Sequence, residues 1–400
     1  MLNLDKIRAD FKLLSSENRP VYFDSACMSL KPNSVILAMD KYYYEYPACA
    51  GRSSHKLGDK VTDKVKETRK LIADFINANN PNEIIFTRNT TEGINLFANS
   101  IGLTKGDVVL ISNKEHNSNL IPWLLLRDKI GIVVKIIYSN EDGSFNLDNL
   151  KELISGAKLI SLVHTSNLDG VTNPVKEIID IAHKNNVLVF LDAAQSIAHK
   201  KIDVKNLDVD FMAFSGHKML GPTGTGVLYG KYKLLEKIDP FIVGGDTVLY
   251  STYEDYKFLP APEKFEAGLQ DYAGIIGLGE AVKYLTQFDF KEIEEHEFIL
   301  NDYLTKELQK IPQIKIIGPA DPRERSGIVN FYIEGTDMHK FSIMLNEMAN
   351  ISIRSGRHCV HSWFEKNKIF NSARVSLYLY NTKEEVEIFI TNLNKIMKIL

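Results

Sequence analysis

Residues 187–230 read VLVFLDAAQSIAHKKIDVKNLDVDFMAFSGHKMLGPTGTGVLYG, and this stretch decides the fold. It contains three apolar runs, at 187–191, at 211–214 and in the run that ends at Tyr229, and each predicts a buried strand. Asp192 stands where the first strand ends, and Lys218 follows the second strand within Ser-Gly-His-Lys. Open α/β sheets place their chemistry at the carboxyl ends of parallel strands. The sequence therefore predicts that Asp192 and Lys218 share a site.

The residue types at this predicted site suit pyridoxal phosphate (PLP). Lys218 stands beside a histidine and small residues, and Asp192 lies one strand away. A lysine can hold the cofactor as a Schiff base, and an aspartate can pair with its pyridinium nitrogen. The stretch thus indicates a PLP-dependent enzyme.

The pattern before residue 290 favours a large α/β domain. Apolar runs at 83–86, 107–112, 132–137 and 159–163 alternate with helical segments of about 10–15 residues, which is typical of a mainly parallel sheet covered on both faces. We predict that this domain spans residues 16–288.

The pattern after residue 290 predicts a smaller α+β domain. We assign it residues 1–15, as a short amphipathic helix, together with residues 289–400. Its expected elements are a helix at 291–311, strands at 314–317 and 327–333, a helix at 338–348, strands at 351–354 and 374–377, and a helix from 383.

Composition narrows the class of protein. The 400 residues carry a formal net charge of −3, which does not indicate a nucleic-acid surface. No apolar run approaches the ~18 residues of a membrane span, and the N-terminus lacks a signal-peptide core. Three cysteines are too few for a disulfide framework, so we expect a reducing, cytoplasmic compartment.

Other polar residues follow the predicted strands. Thr90 and Thr91 precede a helix whose N-terminus could hold a phosphate, although a threonine cap explains the same pattern. His116 follows another strand. Cys359 lies in a polar loop rich in arginine and histidine, and such positive surroundings favour thiolate over thiol. The alternative interpretation is that Cys359 is simply a small buried residue.

Several motifs together resemble a known family. The aspartate and lysine motifs of the class V aminotransferase superfamily are similar to LDAAQS at 191–196 and SGHKMLGPTGTGVLYG at 215–230. A third motif, RSGRHC at 354–359, points to sulfur chemistry. Within that superfamily the chain is most similar to the group II (SufS-type) cysteine desulfurases and selenocysteine lyases, from YFDSACMSLKP at 22–32 to RVSLYLYNTKEE at 374–385. The resemblance implies a PLP-dependent transferase of fold type I and a homodimer.

The resemblance also implies a role for each site residue. Lys218 would hold the cofactor and move protons, Asp192 would bind the ring nitrogen, and Gln195 would bind the phenolic oxygen. His116 would stack on the ring and act as an acid or base. The phosphate-binding set would be Thr90, Thr91, Ser215 and His217. The substrate-binding set would be Asn167, Arg374, Arg354 and, at the edge of the site, His55. No metal is expected.

The implied reaction is L-cysteine desulfuration. Cys359 would attack the substrate sulfur, keep it as a persulfide, release L-alanine and pass the sulfur to an acceptor protein of iron–sulfur cluster assembly. The alternatives are a selenocysteine lyase, another class V reaction such as transamination or epimerisation, and a non-catalytic scaffold or sulfur carrier. The chain departs from the family pattern at Leu269, where threonine is usual, and around Cys359, where Arg357 and Trp363 change the pocket mouth.

Overall fold

The computed structural model describes residues 2–399, in which strands and helices alternate along most of the chain. In chain order the strands are β1 (Val21–Tyr22), β2 (Ile84–Thr87), β3 (Val108–Ser112), β4 (Val133–Ile137), β5 (Ala157–Val163), β6 (Leu188–Asp192), β7 (Phe211–Ser215), β8 (Gly226–Gly230), β9 (Val248–Ser251), β10 (Tyr256–Phe258), β11 (Ile314–Ile317), β12 (Ile328–Ile333), β13 (Ile351–Ser352), β14 (Arg354–Gly356) and β15 (Ser372–Ser376). The helices are α1 (Leu4–Ala9), α2 (Asn33–Glu45), α3 (Lys56–Phe75), α4 (Thr90–Ser100), α5 (Asn117–Ile130), α6 (Leu147–Leu153), α7 (Val175–Lys184), α8 (Ser196–His199), α9 (Val204–Leu207), α10 (Tyr232–Leu235), α11 (Tyr272–Leu285), α12 (Phe290–Gln309), α13 (Met338–Ala349), α14 (His361–Asn367) and α15 (Lys383–Ile396).

A seven-stranded sheet forms the centre of the large lobe. Its strand order is β2-β8-β7-β6-β5-β3-β4, and β8 runs antiparallel to both of its neighbours while the other pairs are parallel. The predicted α/β fold with a mainly parallel sheet is therefore confirmed. Because the carboxyl ends of the parallel strands meet at one edge, the turns after β5, β6 and β7 lie side by side.

Apolar cores cover both faces of this sheet. Along β6, Val189 and Leu191 belong to one core, and Phe190, which lies between them, belongs to the other. Successive strand residues point to opposite faces, so a strand buried on both sides must be apolar at nearly every position. This is why 187–191 could be recognised as an uninterrupted apolar run.

The small lobe has its own antiparallel sheet and core. The strand order is β11-β12-β15-β14, and side chains from α12, α13 and α15 pack on it. The predicted strand at 351–354 divides into β13 and β14, and β13 pairs in parallel with β1. Val21 and Phe23 consequently join the small-lobe core.

The N-terminal helix contacts both lobes. Residues 1–15 are predicted in the small domain, and Ile7, Phe11 and Leu14 belong to a core of mostly large-lobe side chains that also contains Tyr378 and Tyr380. Arg8 still bridges to the small lobe, where it donates to the Tyr380 carbonyl at 2.7 Å and pairs with Glu385 at 2.8 Å. The division near residue 288 stays a prediction.

Two elements of the large lobe have no counterpart in the sequence-based expectations. Helix α11 is buried almost all round, and Gly277 and Gly279 let it approach its neighbours, since a Cβ at Gly279 would lie 2.5 Å from the Thr68 hydroxyl. The β9–β10 hairpin instead projects Leu249, Tyr250 and Tyr256 into solvent. Within residues 2–399, no helix has the length and apolar character required to cross a bilayer.

Candidate active site

A cavity of about 230 Å³ lies at the carboxyl edge of the large sheet, where the small lobe covers it. Its walls bring together nearly all of the predicted site residues, namely Thr90, Thr91, His116, Asn167, Asp192, Gln195, Ser215, His217, Lys218, Arg354, Cys359 and Arg374. His55 lies elsewhere, exposed, where its Nδ1 caps α3 by accepting the Gly58 N–H at 3.2 Å. Its predicted substrate role remains untested.

Lys218 and Asp192 occupy neighbouring strand ends. Lys218 closes a short helical turn, Gly216–Lys218, directly after β7, and Asp192 is the last residue of β6. The Asp192 Oδ1 accepts the Ala194 N–H at 2.9 Å. Burial lowers the pKa of Lys218 despite the opposing charge of Asp192, and burial raises the pKa of Asp192. A lowered pKa makes it easier for this lysine to lose its proton, and the unprotonated amine is the form that attacks a carbonyl carbon.

Hydroxyl groups line the cavity beside the N-terminus of α4. Asn89 caps this helix, because its Oδ1 accepts the Glu92 N–H at 2.9 Å, so the threonines are not its cap. Thr90 bonds the Ser215 hydroxyl through its own N–H at 2.8 Å and through its hydroxyl at 2.6 Å. The Thr91 and Ser118 hydroxyls lie 2.7 Å apart. A helix N-terminus lined by several hydroxyls suits a phosphate.

His116 and Gln195 line the middle of the cavity. The His116 Nδ1 accepts the Ser118 N–H at 3.1 Å, and burial, with help from the charge of Lys218, lowers the pKa of His116 to about 3. The ring is therefore neutral near pH 7, as a group that stacks on an aromatic cofactor or accepts a proton must be. Gln195 donates to the Ala26 carbonyl at 2.7 Å, while its buried Oε1 has no partner among the described residues.

Arg374 dominates the opposite end of the cavity. It projects from β15, is 1% exposed, and donates from Nη1 to the Asn167 carbonyl at 3.0 Å. Its Nη2 lies 3.5 Å from the Asp24 carboxylate, but neither Nη2 nor Nε has a hydrogen-bond partner in residues 2–399. Burial lowers the pKa of Arg374 to about 10. A buried guanidinium with two nitrogens that lack hydrogen-bond partners fits an incoming carboxylate.

The Cys359 loop closes the cavity from the small lobe. His358 and Cys359 both adopt left-handed backbone, with φ of 48° and 59°, which costs energy for residues with a Cβ. Two bonds across the lobes hold this shape, from Asn167 Nδ2 to the His358 carbonyl and from the Asn117 N–H to the Cys359 carbonyl, each 2.7 Å long. The Cys359 sulfur lies 4.0 Å from Arg354 Nη2.

Three residues at the site were not predicted from sequence. Cys27 lines the cavity and accepts a hydrogen bond from Arg354 Nη1 at 2.7 Å. Asp24 faces Arg374, and burial raises the pKa of Asp24. Glu115 lies buried next to His116, and burial raises the pKa of Glu115 to about 7. Their sequence signal is position alone, since Glu115 follows β3 of the large sheet and Asp24 and Cys27 follow β1, which pairs with β13.

Comparison with known proteins places this site in a family. The model of the aminotransferase class-V family matches residues 21–389. The chain belongs to the class V aminotransferase family. It is 40% identical over 401 residues to a probable cysteine desulfurase of Halalkalibacterium halodurans, with 98% of each chain covered.

Solved structures of the family superpose over the whole chain. The apo cysteine desulfurase of Thermococcus onnurineus matches with a TM-score of 0.96 and 36% identity, covering 100% of this chain and 99% of that one. The cysteine desulfurase CsdA of Escherichia coli matches with a TM-score of 0.93 and 32% identity, covering both chains fully. The group II resemblance deduced from the sequence motifs is thus confirmed.

The residues present fit the PLP that the family implies. The buried amine of Lys218 suits the aldehyde, the buried carboxylate of Asp192 suits the ring nitrogen, and the neutral imidazole of His116 suits the ring face. The unpaired Gln195 oxygen suits a polar ring substituent, and the hydroxyl-lined start of α4 suits the phosphate. Leu269 is 67% exposed outside the cavity and supplies no donor. No three or more His, Cys, Asp or Glu side chains between residues 2 and 399 group as metal ligands.

Proposed function

We propose that the protein is a PLP-dependent cysteine desulfurase, which converts L-cysteine to L-alanine and retains the sulfur as a persulfide on Cys359. The observation that carries this proposal is the placement of Cys359, from the small lobe, in the same cavity as Lys218 and Asp192. A transaminase or epimerase needs the lysine but has no use for a thiol held at the cavity by strained backbone.

The cofactor, when bound, supplies an electron sink for charge that develops at the substrate Cα. Asp192 holds the ring nitrogen, and the Thr90, Thr91, Ser215 and His217 set holds the phosphate. The Arg374 guanidinium orients the substrate carboxylate, and Lys218 takes the proton from Cα.

Sulfur transfer falls to Cys359. Its sulfur attacks the sulfur of the substrate, the carbon–sulfur bond breaks, and a sulfur–sulfur bond forms on Cys359. A proton delivered to the carbon that lost sulfur and a proton returned to Cα complete L-alanine, and Lys218 and His116 are the groups positioned to exchange these protons. Arg354 lies beside both the sulfur and Arg374, so it stabilises negative charge at this end of the cavity.

The test is the formation of alanine and sulfide from L-cysteine, with a thiol reductant present. We expect the wild-type holoenzyme to form both, Lys218→Ala to form neither, and Cys359→Ser to lose most of both while keeping its cofactor spectrum. Equal alanine formation by wild type and Cys359→Ser would contradict the persulfide route. Strong preference for L-selenocysteine with little need for Cys359 would indicate a selenocysteine lyase. A purified protein that binds no PLP would indicate a scaffold.

The proposal extends to assembly and partners. Exposed large apolar side chains support a homodimer, because solvent-exposed apolar groups often mark protein contacts; they are Phe241, Ile242, Val243, Leu249 and Tyr256. We propose that the sulfur passes to an acceptor protein of iron–sulfur cluster assembly in the cytoplasm. Sedimentation of the holoenzyme tests the dimer, and Leu249→Asp should shift it toward the monomer.

A further inference from the structure

Cys27 is a second thiol in the catalytic cavity. It follows β1 and lines the same walls as Cys359, Lys218 and Arg374. Three hydrogen bonds hold the backbone here. The Cys27 N–H donates to the Asp24 carbonyl at 3.0 Å. At the preceding residue, Gln195 donates to the Ala26 carbonyl at 2.7 Å, and the Ser376 hydroxyl accepts the Ala26 N–H at 3.0 Å. The sulfur is therefore held at the site by the fold.

One guanidinium connects the two thiols. Arg354 contacts the Cys27 sulfur through Nη1 at 2.7 Å and the Cys359 sulfur through Nη2 at 4.0 Å. The guanidinium is planar and rigid, so its two terminal nitrogens fix the two sulfurs on neighbouring positions of one small group. Cys27 also lies within electrostatic range of Lys218 and Arg374, so two guanidinium groups and the lysine surround its sulfur.

We propose that Cys27 is a second sulfur carrier, which takes the outer sulfur from the Cys359 persulfide. This inference rests on the proposed function, because it needs the persulfide to form. The outer sulfur extends about 2 Å beyond the Cys359 sulfur, and it came from a substrate bound inside the cavity that Cys27 lines. The outer atom is thus the one that the Cys27 sulfur meets first.

The transfer is balanced without any further reagent. The Cys27 thiolate attacks the outer sulfur, a sulfur–sulfur bond forms on Cys27, and the bond to Cys359 breaks. Cys359 leaves as a thiolate, and the proton of the Cys27 thiol is exchanged within the cavity, so nothing is oxidised or reduced overall. Cys359 is then free to accept sulfur from a second L-cysteine before any acceptor arrives.

The experiment counts and locates outer sulfur atoms. The holoenzyme receives excess L-cysteine without reductant or acceptor, iodoacetamide blocks the thiols and persulfides, and peptide masses identify the carriers. We expect about two transferable sulfurs per wild-type chain, one on Cys27 and one on Cys359, and about two alanines released. Cys27→Ala and Cys27→Ser should each give about one sulfur and one alanine per chain. Cys49→Ala, which changes the thiol outside the cavity, should retain two.

Three results would overturn the inference. Sulfur found on Cys359 alone in the wild type would show that Cys27 does not accept it. A Cys27–Cys359 disulfide with one released sulfide would show attack on the inner sulfur instead. If neither wild type nor Cys27→Ala formed alanine, the proposed desulfurase function itself would be refuted. If alanine formed but sulfur appeared on Cys359 only, the desulfurase function would stand and the second carrier alone would be refuted.

Discussion

Replacing Arg374 with lysine should separate binding of the substrate carboxylate from the rest of the reaction. The lysine keeps the positive charge but loses the fork that presents two donors to a carboxylate. In the structure, Nε and Nη2 are buried without hydrogen-bond partners among the described residues, so they are the donors available to substrate. Hydrogen bonds to charged groups contribute about 1.5–3 kcal/mol.

The expected loss follows from that range. We predict that Arg374→Lys raises the KM for L-cysteine by about 10- to 150-fold, with a much smaller change in kcat. The substitution also removes the 3.0 Å bond to the Asn167 carbonyl, which should lower the free energy of unfolding by about 1 kcal/mol.

Cysteamine provides the decisive comparison, because it has the amine and the thiol of cysteine without the carboxylate. Titration of the cofactor absorbance with each compound measures binding to wild type and to Arg374→Lys. Cysteamine binding should be nearly unchanged, and Arg357→Lys, a control near the cavity mouth, should change cysteine binding by less than about twofold. Equal losses for cysteine and cysteamine would refute the assignment of Arg374 to the carboxylate.

Two further predictions address cofactor retention and pH. Leu269→Thr should slow PLP loss on dialysis by about fivefold, because the threonine that is usual in the family at this position would offer its hydroxyl to the cofactor phosphate bound in the partner subunit. Leu125→Thr is the control, and unchanged retention in Leu269→Thr would contradict that contact. Burial lowers the pKa of His164 to about 4, below its unfolded value, so the stability it contributes above about pH 6.5 is lost as the pH falls towards 4. Between pH 7 and 5 we expect about 2 kcal/mol less stability from this residue in chemical denaturation, and a loss undiminished in His164→Phe would argue against it.

The sequence predicted the strands of the large sheet because burial on both faces demands continuous apolar runs. It predicted the Lys218 and Asp192 pair because both follow such runs at one edge. Helix α11 was missed because a helix that is apolar on every side has no amphipathic period to recognise. The contacts of Ile7, Phe11 and Leu14 could not be predicted, because an amphipathic helix does not reveal which residues cover its apolar face.

The cavity also contains features that no local pattern encodes. Cys27 and Arg354 are 327 positions apart in the chain, and they meet because β1 pairs with β13 at the edge of the small lobe. The left-handed backbone at Cys359 depends on bonds from Asn167 and Asn117, which belong to the large lobe. Contacts between lobes are set by packing, and one sequence does not contain a signal for them.

The central claim is that Cys359 receives the sulfur before it leaves the protein. One equivalent of sulfur-34-labelled L-cysteine, rapid quenching and peptide mass measurement test it in the Cys27→Ala holoenzyme, in which Cys359 is the thiol that lines the described cavity. The account predicts that the label appears on the Cys359 peptide as fast as alanine forms. Alanine formed with the label released as free sulfide, and never present on that peptide, would contradict it.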